Sequence, residues 1–255
     1  MLKQIILLAG PTASGKSKLA IHLAKKLNGE IINADSMQAY KEFSILSSRP
    51  DKQEVKKVKH HLYGFISVQK HFSAGEWLNL AKKKIANCHK KKKIPIIVGG
   101  TGLYFNTITK GISKIPAIDK NTRKKTRNLF KNLGYKKFYK ELIKIDPKSK
   151  DKILSTDSQR SQRAYEVYIK TKKSLFDWIS NTKFEFSGYE INKIFIDIPR
   201  DELLKKISSR TEKMFSKNCV DEVKKFNLLK LNKSLSANKL IGVREINDYL
   251  MKNIN

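Results

Sequence analysis

The sequence predicts an α/β protein: a parallel sheet with helices on both faces, interrupted by an inserted all-helical segment. Three observations carry that prediction. Apolar runs of buried-strand type recur at residues 3–9, 30–34, 94–98 and 193–198, separated by stretches with apolar residues at helical spacing. A glycine-rich turn joins the first run to the first helix. Between about Ser113 and Lys183 the alternation stops, and the pattern is helical, basic and aromatic. The expected limits are therefore residues 1–113 with 191–255 for a discontinuous core, and 114–190 for the inserted subdomain.

The turn after the first strand is Gly10, Pro11, Thr12, Ala13, Ser14, Gly15, Lys16, Ser17, which fits G-x-x-x-x-G-K-[ST]. Gly10 and Gly15 permit backbone angles closed to other residues, so successive N–H groups can turn inward and cradle a polyanion at the positive end of the helix. Lys16 adds a point charge, and the Ser17 hydroxyl suits a magnesium ion or a phosphate oxygen. The helix that follows carries Leu19, Ala20, Leu23, Ala24 and Leu27 on one face. The expected core is thus of the P-loop NTPase type.

The second strand, residues 30–34, ends directly at Asp35, Ser36, Met37, Gln38, Ala39 and Tyr40. Polar residues at the C-terminal end of a strand lie where open parallel sheets bind their ligands. On spacing alone Asp35 reads equally well as a site residue or as a helix N-cap. Residues 43–59 are polar and basic and predict a loop with a short helix. His60 and His61 have no carboxylate or cysteine at ligand spacing, so they predict a structural or hydrogen-bonding role. Ser73 with Glu76 has the capping-box pattern and opens a helix through Trp77, Leu80, Ala81 and Ile85.

The strand at 94–98 ends at Gly99, Gly100, Thr101 and Gly102, where glycines let backbone and hydroxyl approach a ligand closely. Thr101 reads as a phosphate donor or as part of a tight turn. In the inserted segment, Leu129, Phe130, Leu133, Tyr135, Phe138, Tyr139, Leu142 and Ile143 supply an apolar stripe before Pro147 interrupts it. A further helix begins at Asp157 and runs through Gln159, Arg160, Ser161, Gln162 and Arg163. Its mixture of basic, amide and aromatic residues suits RNA, although such aromatics are more often core. The last strand run includes Asp197, a weak counterpart of a magnesium-supporting acid. Asp201 is expected to cap the helix that follows. Residues 220–250 are helical in pattern with a polar break at about 230–238.

The formal charge is +31, from 54 Lys and Arg against 23 Asp and Glu. Such a field points to a polyanion, nucleic acid first, and a lysine-rich compositional bias is the competing explanation. Cys88 and Cys219 show neither disulfide nor zinc spacing. No apolar run approaches the roughly 20 residues that span a bilayer, and no signal-peptide pattern is present. A cytoplasmic monomer with no membrane association is expected.

Together these residues resemble the tRNA dimethylallyltransferases, which act on adenosine 37 beside the anticodon. The motifs that carry the resemblance are the loop at 10–17, Ala34 to Tyr40, His60-His61-Leu62, Val98 to Tyr104, Asp157 to Arg160 with Arg163, and Asp221-Glu222-Val223. The resemblance implies dimethylallyl diphosphate as co-substrate, its diphosphate held by the loop, and Mg2+ beside Ser17. It implies Asp35 as the base, with Lys16, Thr101 and Arg210 assisting at the diphosphate. It also implies that Asp35, Ser36, Met37, Gln38, Thr101, Arg123, the stretch Gln159 to Arg163, and Leu240, Ile241, Gly242, Val243, Arg244 and Glu245 face the anticodon stem-loop. Two positions and one stretch depart from the pattern: Val243 replaces an aromatic residue, Ser47-Ser48-Arg49-Pro50 replaces a Gly-Thr-containing stretch, and Asn218 replaces a glycine, mildly because Asn tolerates left-handed angles. The family usually continues past Asn255 into a basic helix that contacts tRNA, so weakened tRNA binding is a further expectation. Two other readings stay open, a small-molecule P-loop kinase and a basic RNA-binding protein without turnover.

Overall fold

The computed structural model describes residues 3–232 and 235–253. Two compact units result: Thr109–Glu185 form one, and the chain on either side of them forms the other.

In the larger unit β1 (Lys3–Ala9) leads to α1 (Lys16–Lys26), β2 (Gly29–Asn33), the short α2 (Lys52–Lys57) and β3 (His60–His61). Then come α3 (Ala74–Lys90), β4 (Ile94–Gly99) and α4 (Gly102–Thr109). The sheet has five strands in the order β3-β2-β4-β1-β5, all pairs parallel, with β5 at Tyr189–Phe195. Strand alternation explains the double-sided core. Ile6, Leu8, Ile31, Ile96 and Val98 pack with Ala20, Ile21 and Ala24 of α1. The alternate residues Ile5, Leu7, Ile32 and Ile97 are equally buried, and α3 lies against β2 and β4. Ser73 and Glu76 form the expected capping box at the start of α3, each accepting the other's backbone N–H.

The register sets the site. Asn33 of β2 pairs with Val98 of β4, which pairs with Leu8 of β1. The three strands therefore end level, and the turns at Gly10, Ala34 and Gly99 emerge side by side on the C-terminal edge.

The smaller unit holds α5 (Lys120–Ile145), a 3-10 turn at Pro147–Ser149, α6 (Ser158–Thr171) and α7 (Leu175–Ser180). The single apolar stripe expected over 129–143 is in fact two helical pieces, because Gly134 adopts φ 69° and ψ 171° and breaks α5. Beyond the break Phe138 and Leu142 are buried, and Leu142 packs with Ile153 and Ala164. Asp157 caps α6 by accepting the Arg160 N–H.

After β5 the larger unit ends with α8 (Arg200–Ser216), α9 (Cys219–Leu228), a 3-10 turn at Ser236–Lys239 and α10 (Val243–Leu250). Two expectations change here. The last strand runs from Tyr189 to Phe195, so Asp197 lies beyond its end and is exposed; it is no strand-borne acid. The cap of α8 is Pro199, and Asp201 sits in the first turn, where its charge favours the helix dipole without capping it. Asn218 takes the left-handed angle φ 61° expected where a glycine would otherwise stand. Part of the polar break at 230–238, residues 233 and 234, lies outside the described residues.

Candidate active site

The loop between β1 and α1 is built for close approach by an anion. Gly15 has φ 86° and serves as the N-cap of α1 without a side chain to obstruct the first turn. The Lys16 ammonium lies back over the loop, donating to the carbonyl oxygens of Gly10, at 2.9 Å, and Pro11. Ser17 stands in the first turn of α1, half-buried.

Beside the loop, Asp35 is fixed by its own strand. Its Oδ1 accepts the N–H of Met37 at 2.9 Å and of Gln38 at 3.4 Å. Neither N–H belongs to a helix, so the capping alternative resolves into a local turn that holds one carboxylate oxygen. No hydrogen bond reaches Oδ2 among the described residues, and this oxygen is directed toward Gly100, where a Cβ would stand 3.9 Å away. One oxygen is anchored and the other is free for chemistry.

Thr101 ties the β2 and β4 turns together. Its N–H donates to Ala34 O at 3.1 Å, and its hydroxyl accepts the Ser36 N–H at 3.0 Å while donating to Ser36 Oγ at 3.3 Å. A close backbone approach permits this. A Cβ on Gly99 would come within 2.2 Å of the Ala34 carbonyl carbon and oxygen, far inside contact distance.

Arg210 of α8 completes the electrostatic set. Burial pushes the Arg210 guanidinium and the Lys16 ammonium below their ordinary values, the Asp35 carboxylate opposes both shifts, and Arg210 adds to the fall at Lys16. The Arg210 Nε is buried and has no hydrogen-bond partner among the described residues. A buried cationic N–H without an acceptor, close to a second cation and an anion cradle, is what an oxyanion ligand satisfies.

Several supports were not legible in the sequence. Asn33, fully buried, accepts the Asp35 N–H at 2.8 Å and donates to the carbonyls of Asp35 and Leu62, each at 2.9 Å. The Trp77 indole donates to Asn33 O at 2.8 Å and stacks on Tyr104, ring centroids 4.3 Å apart. His61 bonds Glu30 at 2.6 Å, with Cys88 Sγ 3.7 Å from the same carboxylate oxygen. The carboxylate and thiol that His61 lacked in sequence spacing are thus its neighbours in space, all three buried.

The other candidate residues fall into different places. Gln38 donates through Nε2 to Ser47 O and Ser48 O, and Met37 packs partly buried against the cluster that contains Tyr40 and Phe43. Leu240 and Val243 are core residues of a cluster with Phe43, Leu46 and Phe226. Glu245 accepts the Gly242 N–H at 2.9 Å and caps α10. Ile241 and Arg244 point outward, with Ile241 86% exposed. In the smaller unit Arg123, Gln159 and Arg160 are exposed and Gln162 and Arg163 half-buried. Ser161 is buried, and its hydroxyl has no hydrogen-bond partner among the described residues.

Fold and loop define a class: a parallel-sheet protein of P-loop type with a carboxylate set beside its anion cradle. A family model described as IPP transferase matches residues 38–255. A tRNA dimethylallyltransferase of Pelagibacter ubique (strain HTCC1062) is 53% identical over 247 residues, covering 97% of this chain and 79% of that one. The corresponding protein of Rickettsia felis (strain ATCC VR-1525 / URRWXCal2) is 40% identical over 253 residues, covering 99% and 82%. The chain belongs to the tRNA dimethylallyltransferase family, the IPP transferases. Among solved structures, the full-length tRNA isopentenylpyrophosphate transferase of Bacillus halodurans is similar with a TM-score of 0.67 at 29% identity, over 99% of this chain and 79% of that one. A eukaryotic dimethylallyltransferase acting on tRNA reaches 0.80 at 27% identity, over 98% and 64%. Among the described residues no helix is long and apolar enough to cross a membrane.

Proposed function

We propose that this protein transfers a dimethylallyl group from dimethylallyl diphosphate to N6 of adenosine 37 in tRNA, releasing diphosphate. The observation that carries the proposal is the pairing of two kinds of charge on one sheet edge. Lys16 and the partnerless Arg210 Nε favour an oxyanion, and the free Oδ2 of Asp35 favours a proton donor.

The chemistry needs both. As the allylic C–O bond breaks, negative charge collects on diphosphate, and fixed cations and loop N–H groups stabilise that charge more in the transition state than before it. As N6 attacks, its proton becomes acidic, and a carboxylate oxygen free of other bonds takes it. Thr101 holds the Asp35 turn against the glycine turn and offers a hydroxyl whose long bond to Ser36 a phosphate oxygen can replace. The donor set fits magnesium, a hard cation that takes one protein hydroxyl together with phosphate oxygens and water, and Ser17 would hold it. When bound, it would add neutralising charge at the diphosphate.

The RNA partner assigned is the anticodon stem-loop, whose unpaired bases cost little to extrude. Arg123, Gln159, Arg160 and Arg163 of the smaller unit, Ser36, Gln38 and Arg244 of the larger, and the +31 charge support that assignment. The protein is read as a cytoplasmic monomer. The test is label transfer from dimethylallyl diphosphate to a stem-loop containing A36-A37. Retained transfer in Asp35→Ala would remove Asp35 as the base.

A further inference from the structure

The motif Asp221-Glu222-Val223 has no part in the chemistry above, yet Glu222 makes one of the densest sets of contacts in the larger unit. Its Oε1 accepts the N–H of Ser44 at 2.6 Å, the hydroxyl of Ser44 at 3.1 Å and the N–H of Ile45 at 2.8 Å, and its Oε2 accepts the N–H of Leu46 at 2.9 Å. Three successive backbone N–H groups of a turn converge on one carboxylate from α9. The turn they define continues to Ser47 and Ser48, whose carbonyl oxygens accept from Gln38 Nε2 at 2.9 and 3.2 Å. Facing two carbonyls, the Gln38 amide has only one orientation without repulsion: nitrogen toward the turn and Oε1 away from it. Gln38 N, in turn, bonds Asp35 Oδ1.

We infer that Glu222 is a positioning residue for RNA recognition: through the 44–48 turn it fixes the Gln38 amide, and with it an oriented acceptor beside Asp35 for the donor edge of a base. The inference rests on the proposed transfer to an extruded adenine. Glu222→Gln keeps the volume but replaces one accepting oxygen with an NH2 that confronts a backbone N–H, so the turn loses its clamp.

The experiment is a double-mutant cycle of Glu222→Gln with Gln38→Ala, read as KM for the stem-loop, kcat, KM for dimethylallyl diphosphate and direct stem-loop affinity, with melting temperature as the fold control. The expected result is a roughly tenfold or greater rise in stem-loop KM and Kd for each single variant, with KM for dimethylallyl diphosphate within about twofold. The double variant should be no worse than Gln38→Ala alone. A purely structural Glu222 gives multiplying losses, or equal losses for both substrates; either overturns the inference. Should Glu222→Gln not fold, Gln38→Glu, which sets an acceptor against the Ser47 and Ser48 carbonyls, must reproduce the selective loss of stem-loop binding, and unchanged binding overturns the inference. Absent transfer by the wild-type protein would instead sink the proposed function itself.

Discussion

Asn33 grips Asp35 by both ends of its backbone: the Asn33 Oδ1 accepts the Asp35 N–H at 2.8 Å, and the Asn33 Nδ2 donates to the Asp35 carbonyl at 2.9 Å. The amide is fully buried, so these bonds form without competition from water. Asp35 is thereby held by its neighbour two residues back and by the Met37 and Gln38 amides ahead, and its Oδ2 has no hydrogen bond among the described residues.

Asn33→Ala should therefore act on catalysis and stability together. It leaves the Asp35 N–H and the Leu62 carbonyl without their partner, a loss of about 2–5 kcal/mol in unfolding free energy for two or more buried groups. Chemical denaturation measures that loss. Single-turnover transfer should slow by about tenfold or more as Asp35 loosens, with affinity for dimethylallyl diphosphate little changed. A variant that melts normally and transfers at full rate would contradict the link.

Lys16→Ala and Arg210→Ala should each weaken diphosphate handling while sparing RNA affinity. Removing a fixed cation from the leaving group costs about 10²–10³ in rate. Inorganic diphosphate as a competitive inhibitor reports the same site without turnover, and its inhibition constant should rise in both variants. Equal inhibition of wild type and variants would place the diphosphate elsewhere.

Acid should destabilise the fold through Glu30 and His61. Burial pushes His61 below its ordinary value despite its bond to Glu30. At Glu30, burial pushes up, but the His61 hydrogen bond and the charges of His61, Lys59 and Lys91 outweigh it, and the net shift is downward. Both groups bind protons more readily in the unfolded chain, so stability falls as pH drops. The decline begins below about pH 6.5 for His61 and continues below about pH 4.3 for Glu30. Urea midpoints across pH 7 to 3 measure it. Glu30→Gln should deepen the upper part of the decline, because His61 loses the carboxylate that favours its protonation, and should lose the lower; superimposable profiles would contradict the assignment.

In the smaller unit, Arg160 is exposed, with a loose 3.5 Å contact to Asp157. Arg160→Ala should weaken stem-loop binding several-fold and lower the slope of log affinity against log salt by about 0.7–0.9, the share of one phosphate contact. An unchanged slope would take Arg160 off the phosphate backbone.

What the sequence made legible were features governed by local chemistry. The strand–loop–helix around Gly15 and Lys16, the strand ends that place Asp35 and Thr101, and the Ser73–Glu76 capping box all depend on neighbours within a few residues. The end of the last strand was harder, because Ile194, Phe195, Ile196 and Ile198 continue one apolar pattern while the pairing with β1 stops at Phe195. Long-range partners were invisible. Glu222 reaches the turn at Ser44 across 178 residues, and Glu30, His61 and Cys88 come together from β2, β3 and α3. Leu240 and Val243 show the same limit from the other side: the family resemblance implies that they face RNA, and the core cluster they share with Phe43 and Phe226 buries their side chains. No periodicity in a short stretch distinguishes those outcomes.

The central claim is that Asp35 Oδ2 takes the proton from an adenine amine attacking a diphosphate held by the Gly10 to Ser17 loop. It is tested most directly by single-turnover transfer of radiolabelled dimethylallyl diphosphate to an anticodon stem-loop containing A36-A37, comparing wild type with Asp35→Ala. Label should pass to the RNA with the wild-type protein, and the variant should bind both substrates yet transfer about 10²–10⁴ times more slowly. Transfer at the wild-type rate in Asp35→Ala, or none by the wild-type protein, would contradict it.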